Sequence, residues 1–116
     1  MSHLLTLTRT FVADHFHALP GFEEPRHGHN WVVEATVELH RAEDSHPATI
    51  SLDRRVRELD YVLLNDLPSL AGRNPTAEVL AQWFFEGLQA DGLNPSRIRV
   101  REKANYWAAC FRRQDS

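Results

Sequence analysis

His27 and His29, set around Gly28 in "EEPRHGHNW", are the residues of this chain whose spacing most invites chemistry. Two residues apart at the head of a strand, they point to the same face, and Gly28 leaves room between them. A second pair with the same spacing, His15 and His17, lies in "ADHFH" on the preceding apolar run. Pairing the two runs brings one of His15 and His17 beside His27 and His29. Three imidazoles with an open fourth position form the arrangement of catalytic zinc, in which the metal acts on a bound oxygen at neutral pH. The plainer reading is a set of surface histidines, and it covers His3, His40 and His46, which fall near the terminus, a strand end and a turn. Glu23 and Glu24, just upstream of the glycine, read on their own as solvated loop acids.

The elements that must position these residues follow from hydrophobic periodicity. From Leu4 to Leu19, residues Leu5, Leu7, Arg9, Phe11, Ala13, His15 and His17 share one period-two face, so a long strand is expected. "PGFEEP" breaks it, and "HNWVVEATVELH" reads as a second strand paired antiparallel with the first. "AEDSHPAT" reads as a polar turn. "SLDRRVRELDYVLLNDL" carries Leu52, Val56, Leu59, Leu63 and Leu64 at helical spacing, capped by Ser51 or Asp53. The clearest helix is "NPTAEVLAQWFFEGLQADG". Its expected features are Asn74 as cap, Pro75 at the first position, an apolar stripe of Val79, Leu80, Trp83, Phe84 and Leu88, and Gly92 as the stop. "RIRVREK" and "YWAACFRR" alternate as a hairpin around Ala104 and Asn105.

The order strand, strand, helix, helix, strand, strand implies an α+β domain over residues 1–116, with both helices on one face of an antiparallel sheet. The other face is solvated or buried against another subunit, and Trp31 and Trp107 favour burial by assembly. Composition bounds the function. The chain has 116 residues, 42% hydrophobic and 25% charged, which fits one globular domain rather than disorder. A net charge of −3 without blocks of like charge gives no support to a nucleic-acid surface. Cys110 is the single cysteine, so no intrachain disulfide forms and a reducing, cytoplasmic setting is expected; it reads as a small core residue. No apolar run approaches the length of a membrane span.

Five motifs in order resemble the 6-pyruvoyltetrahydropterin synthase family, which includes 6-carboxytetrahydropterin synthase. "FVADHFH" resembles its Phe-x-Ala-x-His opening, "HGHNW" its His-Gly-His strand, and "LDYVLLND" its Leu-Asp-His-x-x-Leu-Asn-Asp segment. "NPTAEVLAQW" resembles its Pro-Thr-x-Glu helix start, and "VREK" its Lys-Glu-Thr strand. The resemblance implies the tunnelling fold: a four-stranded antiparallel sheet with two helices between strands two and three, assembled as trimers stacked into hexamers. It also implies zinc held by His15, His27 and His29, selecting His15 over His17, and a pterin substrate anchored by Glu102. A carboxylate suits that anchor because it accepts two parallel hydrogen bonds from an aminopyrimidine edge. The competing role for Glu102 is an ion pair with Arg99 or Arg101.

The departures from the family pattern are as informative. Family synthases use a Cys-Asp-His set, with cysteine four residues before the first histidine of His-Gly-His. That position is Glu23 here, and the histidine of Leu-Asp-His is Tyr61, so Asp60 alone remains. The segment from Ile50 to Asp60 is short for the family, so a truncated first helix is expected. One branch of the family lacks the cysteine and carries glutamate three residues before the first histidine, the place of Glu24. That branch cleaves the side chain of a dihydroneopterin-type substrate to 6-hydroxymethyl-dihydropterin. The resemblance therefore implies a zinc-dependent lyase with Glu24 as acid/base and with Glu23, Asp60 and Tyr61 as further catalytic candidates. The alternatives are pyruvoyl- or carboxy-pterin chemistry with altered residues, and a non-catalytic pterin- or purine-binding homologue.

Overall fold

The computed structural model describes residues 2–19, 22–70 and 72–113, with the backbone alone along residues 17–19 and 22–24. Two long strands, β1 (His3–Leu19) and β2 (Phe22–Leu39), pair antiparallel and form the spine. Two helices follow, α1 (Ser45–Leu59) and α2 (Ala77–Ala90), with the two-residue strand β3 (Val62–Leu63) between them. The hairpin β4 (Asn94–Lys103) and β5 (Tyr106–Phe111) completes the chain. The sheet order is β3-β1-β2-β4-β5. The expected antiparallel four strands are β1, β2, β4 and β5; the fifth, β3, runs parallel to β1 opposite Ala13 and Asp14.

Both helices pack on one sheet face. Phe11, Ala13, Trp31, Val33, Ala35, Val37, Ile98 and Val100 point to that face and are fully buried, and Leu52, Leu59, Leu80, Phe84 and Leu88 come down on them from the helices. Burial of side chains this size stabilises by about 1.5–3 kcal/mol each. The other face carries Thr6, Thr8 and Thr10 from β1 and Arg97, Arg99 and Arg101 from β4, with no layer over it among the described residues. Trp107 lies on that face and is half exposed. Trp31 does not share its fate: it is wholly buried within the chain itself, stacked parallel to Phe11 with 6.0 Å between centroids. An alternating strand pattern leaves open which face the chain's own helices will cover.

Several local expectations are corrected. "SHPAT" is not turn but the first turns of α1, because Pro47 is tolerated there and Ala48 extends the buried stripe toward Leu52. The first helix accordingly runs for 15 residues, and neither Ser51 nor Asp53 caps it. It ends at Leu59, so Leu63 belongs to β3. The cap of α2 is Thr76 rather than Asn74, its hydroxyl accepting from the Val79 N–H at 3.2 Å, which leaves Pro75 outside the helix. Finally, β2 begins at Phe22, well before His29. Of the expected break, Pro20 and Gly21 lie outside the described residues, while Pro25 sits within the strand at an irregularity.

That irregularity matters for the site. His15 pairs with His27, but His17 pairs with Glu24, so Pro25 and Arg26 together stand opposite Phe16. Proline has no N–H to give to a ladder, and a bulge is where a strand tolerates it.

Candidate metal centre

His15 is fully buried on β1, and His27 and His29 stand beside it on β2. Glu102 reaches the same point from the end of β4. One ligand atom from each of these four residues lies within 4.8 Å of all the others. His15 Nε2 is 3.1 Å from His27 Nε2 and 2.9 Å from Glu102 Oε1, and His29 Nε2 is 3.2 Å from that same oxygen. The three rings meet edge to face, with centroids 4.4–5.0 Å apart.

Two prolines orient the rings. His15 Nδ1 lies 2.8 Å from the Pro75 carbonyl, and His27 Nδ1 lies 2.7 Å from the Pro25 carbonyl. A carbonyl only accepts, so each Nδ1 carries a proton, and in the neutral ring each Nε2 then directs a lone pair into the cluster, as metal-ligating histidines do when backbone carbonyls fix their tautomer. Thr76 makes the first contact possible: because capping starts there, the Pro75 carbonyl lies outside the helical ladder and is turned toward His15. The bulge makes the second. Trp31 closes the floor, donating its Nε1–H to the Ala13 carbonyl at 3.1 Å and meeting His15 and His29 edge to face.

His29 Nε2 is buried with no hydrogen-bond partner among the described residues. Burial lowers the pKa of this ring below its ordinary 6.5, reinforced by His27, His15 and Lys103 against the opposing pull of Glu102. The ring is therefore neutral at neutral pH, the form that binds a metal. An orphaned buried nitrogen, two lone pairs fixed inward and a carboxylate oxygen within van der Waals reach fit a divalent cation. Three imidazoles with one carboxylate are donors that zinc accepts.

Glu102 does not pair with Arg99 or Arg101. Arg99 is taken by Glu34 on the opposite face, with both contacts at 3.1 Å, and Arg101 stacks over Trp107. The remaining catalytic candidates separate. Asp60 Oδ1 accepts from the Val12 N–H at 2.9 Å, and the Tyr61 N–H donates to the Val12 carbonyl. Both therefore pin the edge of β1 and stand outside the four-residue cluster. Tyr61 holds a left-handed φ of 58° and is 82% exposed, on the rim of a cleft of about 200 Å³ that includes Asp14 and Arg26. The side chains of Glu23, Glu24 and His17 lie outside the described residues. In the backbone register, the bulge puts Glu24 opposite His17 and Glu23 opposite Ala18. Glu24 thus takes the register position on the histidine side of the pleat, and Glu23 the one on the reverse. His3, His40 and His46 are exposed, as expected, and Cys110 is half-buried against the core, where burial pushes its thiol pKa up.

Sequence spacing did not reveal the Pro25 and Pro75 carbonyls, nor the face on which Gly28 provides room. A Cβ there would come within 2.7 Å of Asp14 Oδ1, so the glycine admits Asp14 on the reverse face rather than separating the histidines. The proline in "EEPRHGH" was the available signal for a bulge.

Comparison with known proteins adds a family. The model of the family described as 6-pyruvoyl tetrahydropterin synthase matches residues 4–113. A putative 6-carboxy-5,6,7,8-tetrahydropterin synthase of Archaeoglobus fulgidus is 32% identical over 99 residues, 79% of this chain and 83% of that protein. The Caenorhabditis elegans 6-pyruvoyl tetrahydropterin synthase superposes with a TM-score of 0.81 at 14% identity, covering 97% of each chain. A Plasmodium vivax 6-pyruvoyltetrahydropterin synthase, solved as a variant with a catalytic glutamate replaced by alanine, gives 0.72 at 15% identity over 97% of this chain and 98% of that one.

Proposed function

Because the chain belongs to the 6-pyruvoyl tetrahydropterin synthase family of pterin-metabolising enzymes, we propose that it is a zinc-dependent lyase cleaving the side chain of dihydroneopterin, or its phosphate, to 6-hydroxymethyl-dihydropterin. The observation that carries this reading is the bulge at Pro25. It keeps the histidine face of β2 continuous with the position of Glu24, while the family's cysteine position, filled by Glu23, falls on the reverse. A catalytic glutamate in the Plasmodium vivax relative supports acid/base work by such a residue.

His15, His27 and His29 hold the metal, which when bound supplies Lewis acidity toward the side-chain hydroxyls. Glu102 accepts the aminopyrimidine edge and sets the side chain over the histidines. Glu24 takes the proton from the second side-chain hydroxyl, the bond between the first and second side-chain carbons breaks, and its electron pair passes to the pterin side. The two-carbon remainder leaves as an aldehyde, and the proton returns to the first carbon. Glu23, Asp60 and Tyr61 are secondary: Asp60 is committed to backbone, and Tyr61 is free to meet another copy of the chain. We place this enzyme in the cytoplasm, as a single domain in a hexamer of two trimers, an assembly that would cover the bare sheet face and the exposed Trp107.

A second reading, carboxypterin synthesis with altered residues, is favoured by the archaeal relative's description. Incubating the zinc-loaded protein with dihydroneopterin and with its triphosphate, then identifying products, separates the two. Release of 6-hydroxymethyl-dihydropterin is expected. A pyruvoyl or carboxy product would select the second reading, and binding of both compounds without turnover would leave a pterin-binding homologue.

A further inference from the structure

Glu102 occupies a place that an anchor alone does not explain. Its Oε1 stands 2.9 Å from His15 Nε2, and in the neutral ring a lone pair faces it there, because the Nδ1 proton is committed to Pro75. Two acceptors at that distance repel unless positive charge lies between them. The same oxygen is 3.2 Å from His29 Nε2, yet that nitrogen makes no hydrogen bond, so the contact is not an ordinary histidine–carboxylate pair. Donors bound to one tetrahedral zinc at roughly 2.0–2.1 Å stand about 3.3 Å from each other. The three separations here, 3.1, 2.9 and 3.2 Å, lie close to that edge length.

The backbone supplies an independent observation. Arg101 pairs with Trp107 and Lys103 with Tyr106, so Glu102 is the extra residue of a bulge in β4; the β2 ladder also ends one residue before it, at Val32 and Arg101. A bulged residue is re-aimed relative to its strand, and Glu102 has no ladder partner on either side to hold it.

We propose that Glu102 changes partner: it is the fourth metal ligand of the substrate-free protein, and it leaves the metal when a pterin edge arrives to claim it. This rests on the metal and pterin assignments above. The two roles compete for the orientation of one carboxylate, since gripping an aminopyrimidine edge aligns both oxygens with the ligand and ligation turns one of them to the metal. A site with four protein donors is closed, and a catalytic one keeps a position open. Transfer of Glu102 thus opens the metal at the moment a substrate is seated.

The full chain, stripped of metal, is titrated with Zn²⁺ against a chromophoric chelator as wild type and as Glu102→Gln. The variant is expected to bind zinc more weakly by about tenfold or more. Wild type loaded with Co²⁺ is expected to change its visible spectrum when dihydroneopterin is added, which needs no variant to fold. Wild-type zinc affinity in Glu102→Gln, or a Co²⁺ spectrum indifferent to dihydroneopterin, overturns the exchange while the histidine site stands. Failure of wild type to take up zinc at all overturns the metal assignment beneath it.

Discussion

Strands β2 and β4 each contribute to two charged clusters, one on either face of the sheet, and the two are built on opposite principles. On the bare face, Glu34 takes both contacts of Arg99 at 3.1 Å, with Arg97 at 3.5 Å, and Arg99 lies over Trp107 at 4.3 Å. The hydrogen bond from Arg99 is the main reason the Glu34 carboxyl titrates below its ordinary range. On the helix face, Glu102 meets two imidazole nitrogens, and the buried His29 Nε2 lacks a hydrogen bond. A carboxylate paired with guanidinium is electrostatically complete and holds strands in register. A carboxylate facing inward-directed lone pairs is incomplete, and that incompleteness marks the place for a cation.

Substitutions sharpen this contrast, beginning with chemistry. Glu24→Ala should lower turnover of dihydroneopterin by about 10²–10⁴-fold, as loss of a positioned acid/base does, while metal analysis shows unchanged zinc. A proportional loss of zinc would move Glu24 from proton carrier to structural support.

Acid should separate the clusters next. Protons compete with metal for imidazole, so bound zinc, followed by metal analysis after dialysis, should fall as pH drops below the ordinary histidine value of 6.5. The depressed Glu34 carboxyl contributes stability that is present above the unfolded carboxylate pKa and lost only as pH falls through its lower folded value. The ion pair should therefore outlast the metal on acidification.

Smaller effects follow at the supports. Trp31→Phe removes the buried donor to the Ala13 carbonyl and leaves that carbonyl short of a partner, for about 1–3 kcal/mol in denaturant unfolding. Glu34→Gln, at a partly exposed pair, should cost at most about 1 kcal/mol and leave zinc affinity untouched. A large loss of zinc from Glu34→Gln would break the division between the faces.

How much of this was legible in the sequence depended on the range of the interactions. Alternation along "LLTLTRTFVADHFH" and the stripe from Leu80 to Leu88 are local, and both elements form where they fall. The start of α1 was hidden because His46 and Pro47 look like turn residues, and the stripe through Ala48 is completed only by packing on the sheet. His27 and His29 were readable from spacing. Glu102 as their neighbour was not, since that contact depends on a β4 bulge and on cross-strand register. The carbonyls of Pro25 and Pro75 were equally hidden, because a sequence shows a proline's missing donor and not where its acceptor points.

The most direct test is a zinc count per chain in wild type and in His29→Ala, purified identically. Wild type should hold one zinc per chain and the variant much less, because His29 supplies a buried nitrogen with no hydrogen-bond partner among the described residues. Equal zinc in the two proteins would contradict the assignment of this cluster as the metal centre.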